Sequence, residues 1–163
     1  MKILVAVASR HGSTEEIARA IANELRSAGN AVDLLAVGSV DTIDGYDRVV
    51  LGSAVYVGNW LAEARQFVLD HREELVCVPV WLFSSGPIGA DDPKPHGDPA
   101  IVADLVKLTG ARGYANFAGK LDPSALGLGE RIITKVVGAP TGDFRNWESI
   151  REWAHEIATM PNG

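Results

Sequence analysis

The residues best placed to do chemistry are Ser9-Arg10-His11-Gly12-Ser13-Thr14, between an apolar run, Ile3 to Ala8, and an amphipathic stretch that begins near Glu15. A strand that feeds through a short polar loop into a helix leaves backbone N–H groups unpaired in the first helical turn, where the helix also carries a partial positive charge. Hydroxyls from Ser9, Ser13 and Thr14 add donors, and Gly12 lets the backbone approach closely. The pattern therefore points to a phosphate cradle. It has neither the Gly-x-x-x-x-Gly-Lys-Ser/Thr of a P-loop nor the Gly-x-Gly-x-x-Gly of a dinucleotide fold, which leaves a monophosphate-sized site. Ser13 has a second reading as a helix cap, and His11 is either a phosphate contact or a solvated side chain.

These residues must be held by a scaffold, and its outline is readable. Apolar runs at Ile3–Ala8, Ala31–Ala36, Val49–Ala54, Val76–Phe83 and near Tyr114–Ala118 read as strands. Helical patterns alternate with them: Ile17, Ile21, Leu25 and Ala28, then Leu61 to Leu75, then Ala100 to Leu108, and last Trp147, Ile150, Ala154 and Ile157. The alternation predicts a three-layer α/β fold, a five-stranded parallel sheet with helices on both faces. Asp44-Gly45-Tyr46-Asp47-Arg48 reads as a polar turn before the third strand, and Trp81 as a core residue. With 163 residues and 47% hydrophobic content, the expectation is a single domain spanning residues 1–163.

Ligands of open parallel sheets bind off the carboxyl ends of the strands. Three loops are expected to meet there. The first is Ser9 to Thr14; the second is Ala54-Val55-Tyr56-Val57-Gly58-Asn59-Trp60; the third is Ser84-Ser85-Gly86-Pro87-Ile88-Gly89. The second offers the aromatic surfaces of Tyr56 and Trp60, and the third a backbone able to face a flat polar ring. A phosphate at the first and an aromatic ring between the others describe FMN as cofactor. Trp60 as a packing residue and Ser84 to Pro87 as an ordinary turn are the plainer readings of the same residues.

Charge and composition narrow the partners. A net charge of −6 argues against nucleic acid and against broad attraction to anionic lipid. No segment is long and apolar enough for a signal core or a membrane span, so the expectation is cytoplasmic, with membrane contact at most peripheral. Cys77, in the run Val76 to Phe83, is expected to pack as a small buried hydrophobe. His11, His71, His96 and His155 show no metal-ligand spacing, and no metal is expected. Two segments exceed what the scaffold needs: Gly86 to Pro99, rich in proline, glycine and aspartate, and Asp122 to Gly142, with an apolar stripe of Leu128, Ile132 and Val136 beside Arg131 and Lys135. That stripe either covers the sheet or docks on a membrane surface near quinone.

At these residues the chain resembles the flavodoxin superfamily, whose phosphate loop runs Ser/Thr-x-x-Gly-x-Thr as Ser9, Gly12 and Thr14 do. It is similar in particular to the branch of menaquinone-dependent protoporphyrinogen IX dehydrogenases. The shared stretches are Ser9–Thr14, Tyr46-Asp47-Arg48-Val49-Val50, Leu51-Gly52-Ser53-Ala54-Val55-Tyr56, Arg131-Ile132-Ile133-Thr134-Lys135 and Gly142-Asp143-Phe144-Arg145-Asn146-Trp147. The resemblance implies a strand order of 2-1-3-4-5 and FMN held by the three loops. Members of that branch tend to carry a basic residue and then Tyr where this chain has Tyr56-Val57, and a more basic and aromatic insertion than Leu121 to Gly138.

Neither Ala54–Trp60 nor Ser84–Gly89 contains an acid, and Arg10 brings a positive charge. Neutral surroundings ease reduction of a flavin that becomes anionic, so the expectation is two-electron substrate chemistry with a quinone or another small redox molecule. The runner-up is a one-electron carrier for a reductase or other redox protein partner; homo-oligomerisation is left open. A phospho-acceptor receiver module would need an acidic pair after the first strand and an aspartate ending the third, where this chain has Ala8-Ser9-Arg10 and Gly52-Ser53-Ala54. No side chain stands out as a general acid or base.

Overall fold

The first strand sets the architecture, because Ile3 to Ala8 offers apolar side chains to both of its faces. In the computed structural model, which describes residues 1–86, 101–121 and 142–161, β1 (Lys2–Ala8) lies inside the sheet between the second and third strands, with Ile3 to Ala8 all buried. Leu4, Ala6 and Ala8 face one core, and Ile3, Val5 and Val7 the other. Each fully buried aliphatic side chain is worth about 1.5–3 kcal/mol over exposure, against about 0–1 kcal/mol for an exposed ion pair such as Arg19–Glu15. The two cores, and not the surface charges, hold the layers together.

The remaining elements follow in alternation. They are α1 (Ser13–Ser27), β2 (Ala31–Ala36), β3 (Arg48–Tyr56), β4 (Asn59–Trp60), α2 (Ala62–Asp70), α3 (Arg72–Leu75) and β5 (Val80–Ser85). After them come α4 (Val102–Thr109), β6 (Gly113–Phe117), β7 (Lys120–Leu121), β8 (Gly142–Asp143) and α5 (Trp147–Thr159). Five parallel strands run in the order β2-β1-β3-β5-β6, the expected 2-1-3-4-5, with β4 added to β3 as a short antiparallel arm. Ile17, Ile21 and Leu25 of α1 pack with Ile150, Ala154 and Ile157 of α5 on one face. Phe67 and Val68 of α2, Leu75 of α3 and Leu105 of α4 cover the other.

Three expectations are corrected. The fourth strand starts at Val80, not Val76: Val76 and Cys77 form a turn after α3, where Cys77 N–H donates to Glu74 O at 3.0 Å and the thiol is exposed. Pairing begins only where β3 is available, Val49 to Val80, so an apolar run alone overstates the strand. The helix expected from Leu61 to Leu75 is broken at His71 into α2 and α3. Arg48, expected in a surface turn, is the buried first residue of β3. Its guanidinium donates to the carbonyls of Ile157 and Met160, meeting the open C-terminal end of α5, and lies 5.5 Å from the Trp81 ring centre.

Packing requires glycine most strictly at Gly52. A Cβ on Gly52 of β3 would lie 2.0 Å from the ring of Phe83, which stacks near Phe117 and Trp153 beneath α5. Gly52→Ala is expected to destabilise the fold by about 1–3 kcal/mol or more in urea unfolding. Gly38→Ala, where nothing stands within 4 Å of the added carbon, is the control and is expected to stay within about 0.5 kcal/mol.

Candidate functional site

Register brings the loops together. Ala8 pairs with Ser53, Ser53 with Ser84, and Ser84 with Asn116, so β1, β3, β5 and β6 end along one edge of the sheet. The loop from Ser9 to Gly12, the β3–β4 hairpin and the residues through Gly86 all leave from that edge. Gly86 N–H donates to Phe117 O at 2.9 Å, which ties the third loop to β6. Pro87, Ile88 and Gly89 lie outside the described residues, as do the rest of the loop to Pro99 and the Leu128, Arg131, Ile132, Lys135 and Val136 stripe.

At the first loop the chain turns on Gly12, whose φ of 83° is the left-handed conformation that glycine adopts without strain. Gly12 N–H donates to Ser9 Oγ at 3.1 Å, and no side chain caps α1. Ser13 is therefore not the cap but the first helical residue, and its Oγ accepts from Lys120 N–H at 3.3 Å. Ser9 and Ser13 use their oxygens as acceptors, which keeps both hydroxyl protons for donation. Thr14 is buried, and Arg10 is exposed.

The second loop splits its two aromatics. Trp60 is 2% exposed, and its Nε1–H donates to Ser84 Oγ at 2.7 Å, so it braces the hairpin from below instead of offering a face to a ligand. Tyr56 is the exposed ring, with the Arg10 guanidinium 5.5 Å from its centre and the His11 ring 6.5 Å away, edge to face. Ser53, absent from the sequence-level site, accepts from Leu61 N–H at 3.1 Å and donates to Ala54 O at 2.8 Å, locking the base of the same arm. Between Tyr56 and Asn59 the hairpin turns on Val57 and Gly58, both with positive φ, as tight two-residue hairpins demand. Val57 is fully exposed at φ 50°, costly for a β-branched residue.

A charged cluster supports the first loop from the side, and no spacing rule singled it out. Asn146 caps α5, its side chain accepting from Glu148 N–H and Ser149 N–H at 3.1 Å. Arg145, just before the cap, is 3% exposed at its side chain. It donates to Glu16 Oε2 at 2.6 Å, to Asp143 at 2.6 and 2.8 Å, and to Ser13 O at 3.3 Å. The guanidinium also lies 4.4 Å from the Trp147 ring centre. Hydrogen bonding by Arg145 holds the Asp143 carboxyl below its ordinary range and pushes the Arg145 guanidinium higher. β7 and β8 pair Lys120 with Asp143, so the chain leaves at Leu121 and returns at Gly142 near the start of α1.

His71 lies 3.2 Å from Glu74, and His155 lies 3.6 Å from Glu24; His96 is outside the described residues. Among the described residues no three of His, Cys, Asp and Glu gather as metal ligands.

A doubly wound sheet with an uncapped first helix, a glycine turn before it and two further loops at the same edge has a counterpart among known families. A family model described as "Flavodoxin domain" matches residues 4–147. This chain belongs to that family. FMN is the cofactor that membership brings, and the residues present fit it: an uncapped α1 start, hydroxyl protons kept for donation and one exposed ring, with no acid in the described part of the loops. Protoporphyrinogen IX dehydrogenase [quinone] of Escherichia coli strain K12 is 27% identical, over 98% of this chain and 96% of that protein. An archaeal flavodoxin matches with a TM-score of 0.64 at 18% identity, covering 97% of this chain and 96% of its own. Flavodoxin 1 of Bacillus cereus gives 0.64 at 16% identity, covering 99% and 100%. The last two establish the flavodoxin-like fold.

Two outcomes follow from this geometry. The Asp143 contribution is present above the unfolded aspartate value and is lost as the pH falls through the lower folded one. Thermal melts of wild type and Asp143→Asn are thus expected to differ most near neutrality and to draw together as the pH falls below the ordinary aspartate range. Val57→Asn, which tolerates positive φ, is expected to raise stability by about 1 kcal/mol in urea unfolding.

Proposed function

We propose that this protein is an FMN-dependent oxidoreductase that moves two electrons between a small-molecule donor and a quinone, with a protoporphyrinogen-type compound as the donor class. The observation that carries this reading is the alignment, nearly end to end in both chains, with a quinone-linked protoporphyrinogen IX dehydrogenase. The local charge supports it. No described residue of the three loops is an acid, and acids there would oppose formation of an anionic reduced ring.

In this reading FMN supplies the electron transfer, and the chain supplies binding and orientation. The first-turn amides of α1 with the hydroxyls of Ser9, Ser13 and Thr14 hold the phosphate, aided by Arg10, His11 and Gly12. Ala54, Val55, Tyr56, Val57, Gly58 and Asn59 form one wall of the ring site, steadied by Trp60 and Ser84. Ser85 and Gly86 begin the other; Pro87, Ile88 and Gly89, which the sequence adds to it, lie outside the described residues. Arg10, exposed beside Tyr56, offers a cation to a substrate that carries carboxylates.

The natural quinone pool is membranous, and no helix among the described residues is long and apolar enough to cross a membrane. In this reading the protein works in the cytoplasm and reaches its quinone at the inner face of the membrane, with contact that is at most peripheral.

FMN titration followed by anaerobic turnover tests this. FMN is expected to bind at least tenfold tighter than riboflavin, since the phosphate alone separates the two ligands. The FMN-loaded protein is expected to reduce menaquinone analogues with protoporphyrinogen as donor. Fast exchange with a ferredoxin-type reductase and none with quinones would make it a one-electron carrier instead.

A further inference from the structure

The start of α1 carries two opposed requirements. Glu15 and Glu16 in its first turn favour the helix, because carboxylates there offset the positive end of the macrodipole. The same carboxylates oppose an anion at that end. Glu15 points to solvent and pairs with Arg19 one turn on, at 2.8 Å. Glu16 pairs with Arg145, which comes from the far end of the sequence and whose side chain is almost fully covered.

We propose that Arg145 is a positioning residue for the phosphate loop: it offsets one of the two negative charges of Glu16 and Asp143 and holds the Ser13 carbonyl, and so sets the affinity of α1 for a phosphate monoester. This rests on the reading that the phosphate of FMN sits at α1. Without the guanidinium, two carboxylates stand beside the cradle, and Lys120, the strand partner of Asp143, compensates in part. The guanidinium is covered, but the carboxylates of Glu16 and Asp143 are about half exposed, so solvent screens what they exert on the cradle and keeps the expected effect modest. The clip also joins the β7–β8 ribbon to α1. Lys120 N–H of β7 and Arg145 just beyond β8 both reach Ser13, which couples the first turn of α1 to this ribbon.

The test compares dissociation constants for FMN and riboflavin in wild type, Arg145→Gln, Arg145→Lys, Glu16→Gln and the double variant Arg145→Gln/Glu16→Gln. Arg145→Gln is expected to weaken FMN by about five- to tenfold, as one uncancelled charge several ångströms away would do, and to leave riboflavin unchanged. Arg145→Lys is expected to keep most of the FMN preference. Adding Glu16→Gln to Arg145→Gln is expected to restore much of the loss, and Glu16→Gln alone to tighten FMN, a result that needs no change at Arg145. Equal weakening of FMN and riboflavin, or no recovery in the double variant, would show a merely structural clip and overturn the proposal. If Glu16→Gln alone leaves the FMN to riboflavin ratio unchanged, the charge argument fails. If wild type itself shows no preference for FMN, the underlying placement of the phosphate fails first.

Discussion

Parallel register is the constraint on which the rest depends. β1, β3 and β5 are aligned so that Ala8, Ser53 and Ser84 stand in one row, and everything chemical begins one or two residues beyond that row. A shift of β1 by one residue would exchange Leu4, Ala6 and Ala8 with Ile3, Val5 and Val7 between two differently shaped cores. The register is thus set by side chains buried on both faces, and the loops inherit their positions from it. Gly52 and Gly113 belong to the same constraint, since a Cβ at either would strike Phe83 or Trp81.

The edge formed in this way is polar only where it must be. Ser53, Ser84 and the Trp60 indole satisfy one another and the backbone below the surface, leaving Tyr56 exposed above. The hairpin tip adds Val57, held at an unfavourable φ by a two-residue turn. At the other side, the helix start keeps its acids for stability while basic partners remove their charge: Arg19 for Glu15, and the covered Arg145 for Glu16. A site that binds an anion can therefore coexist with a helix whose first turn is acidic.

Much of this was legible beforehand for a physical reason. Non-alternating apolar runs mark strands buried on both faces, and 3.6-residue periodicity marks α1 and α5, so the parallel sheet was readable, while its order came from the family resemblance. The loop from Ser9 to Thr14 was readable because strand, glycine and helix follow one another without a gap. Less legible were the limits of apolar segments. Val76 and Cys77 look like strand but turn outward, because β3 offers no pairing partner before Val49 meets Val80. Trp60 looks like a ligand-facing aromatic, yet its indole N–H finds Ser84, a residue 24 positions away.

What the sequence alone determined is the class of fold, written in run lengths and periodicity, and, through the resemblance of its short motifs, the family. Tertiary structure decided which charges count. Arg145 and Glu16 are 129 positions apart, as Arg48 is 109 from the carbonyl of Ile157, and neither spacing carries a periodic signal. Such pairs exist only because the sheet packs α1 and α5 side by side on one face, where closing the layer removes water from guanidinium groups and obliges each to find its acceptors.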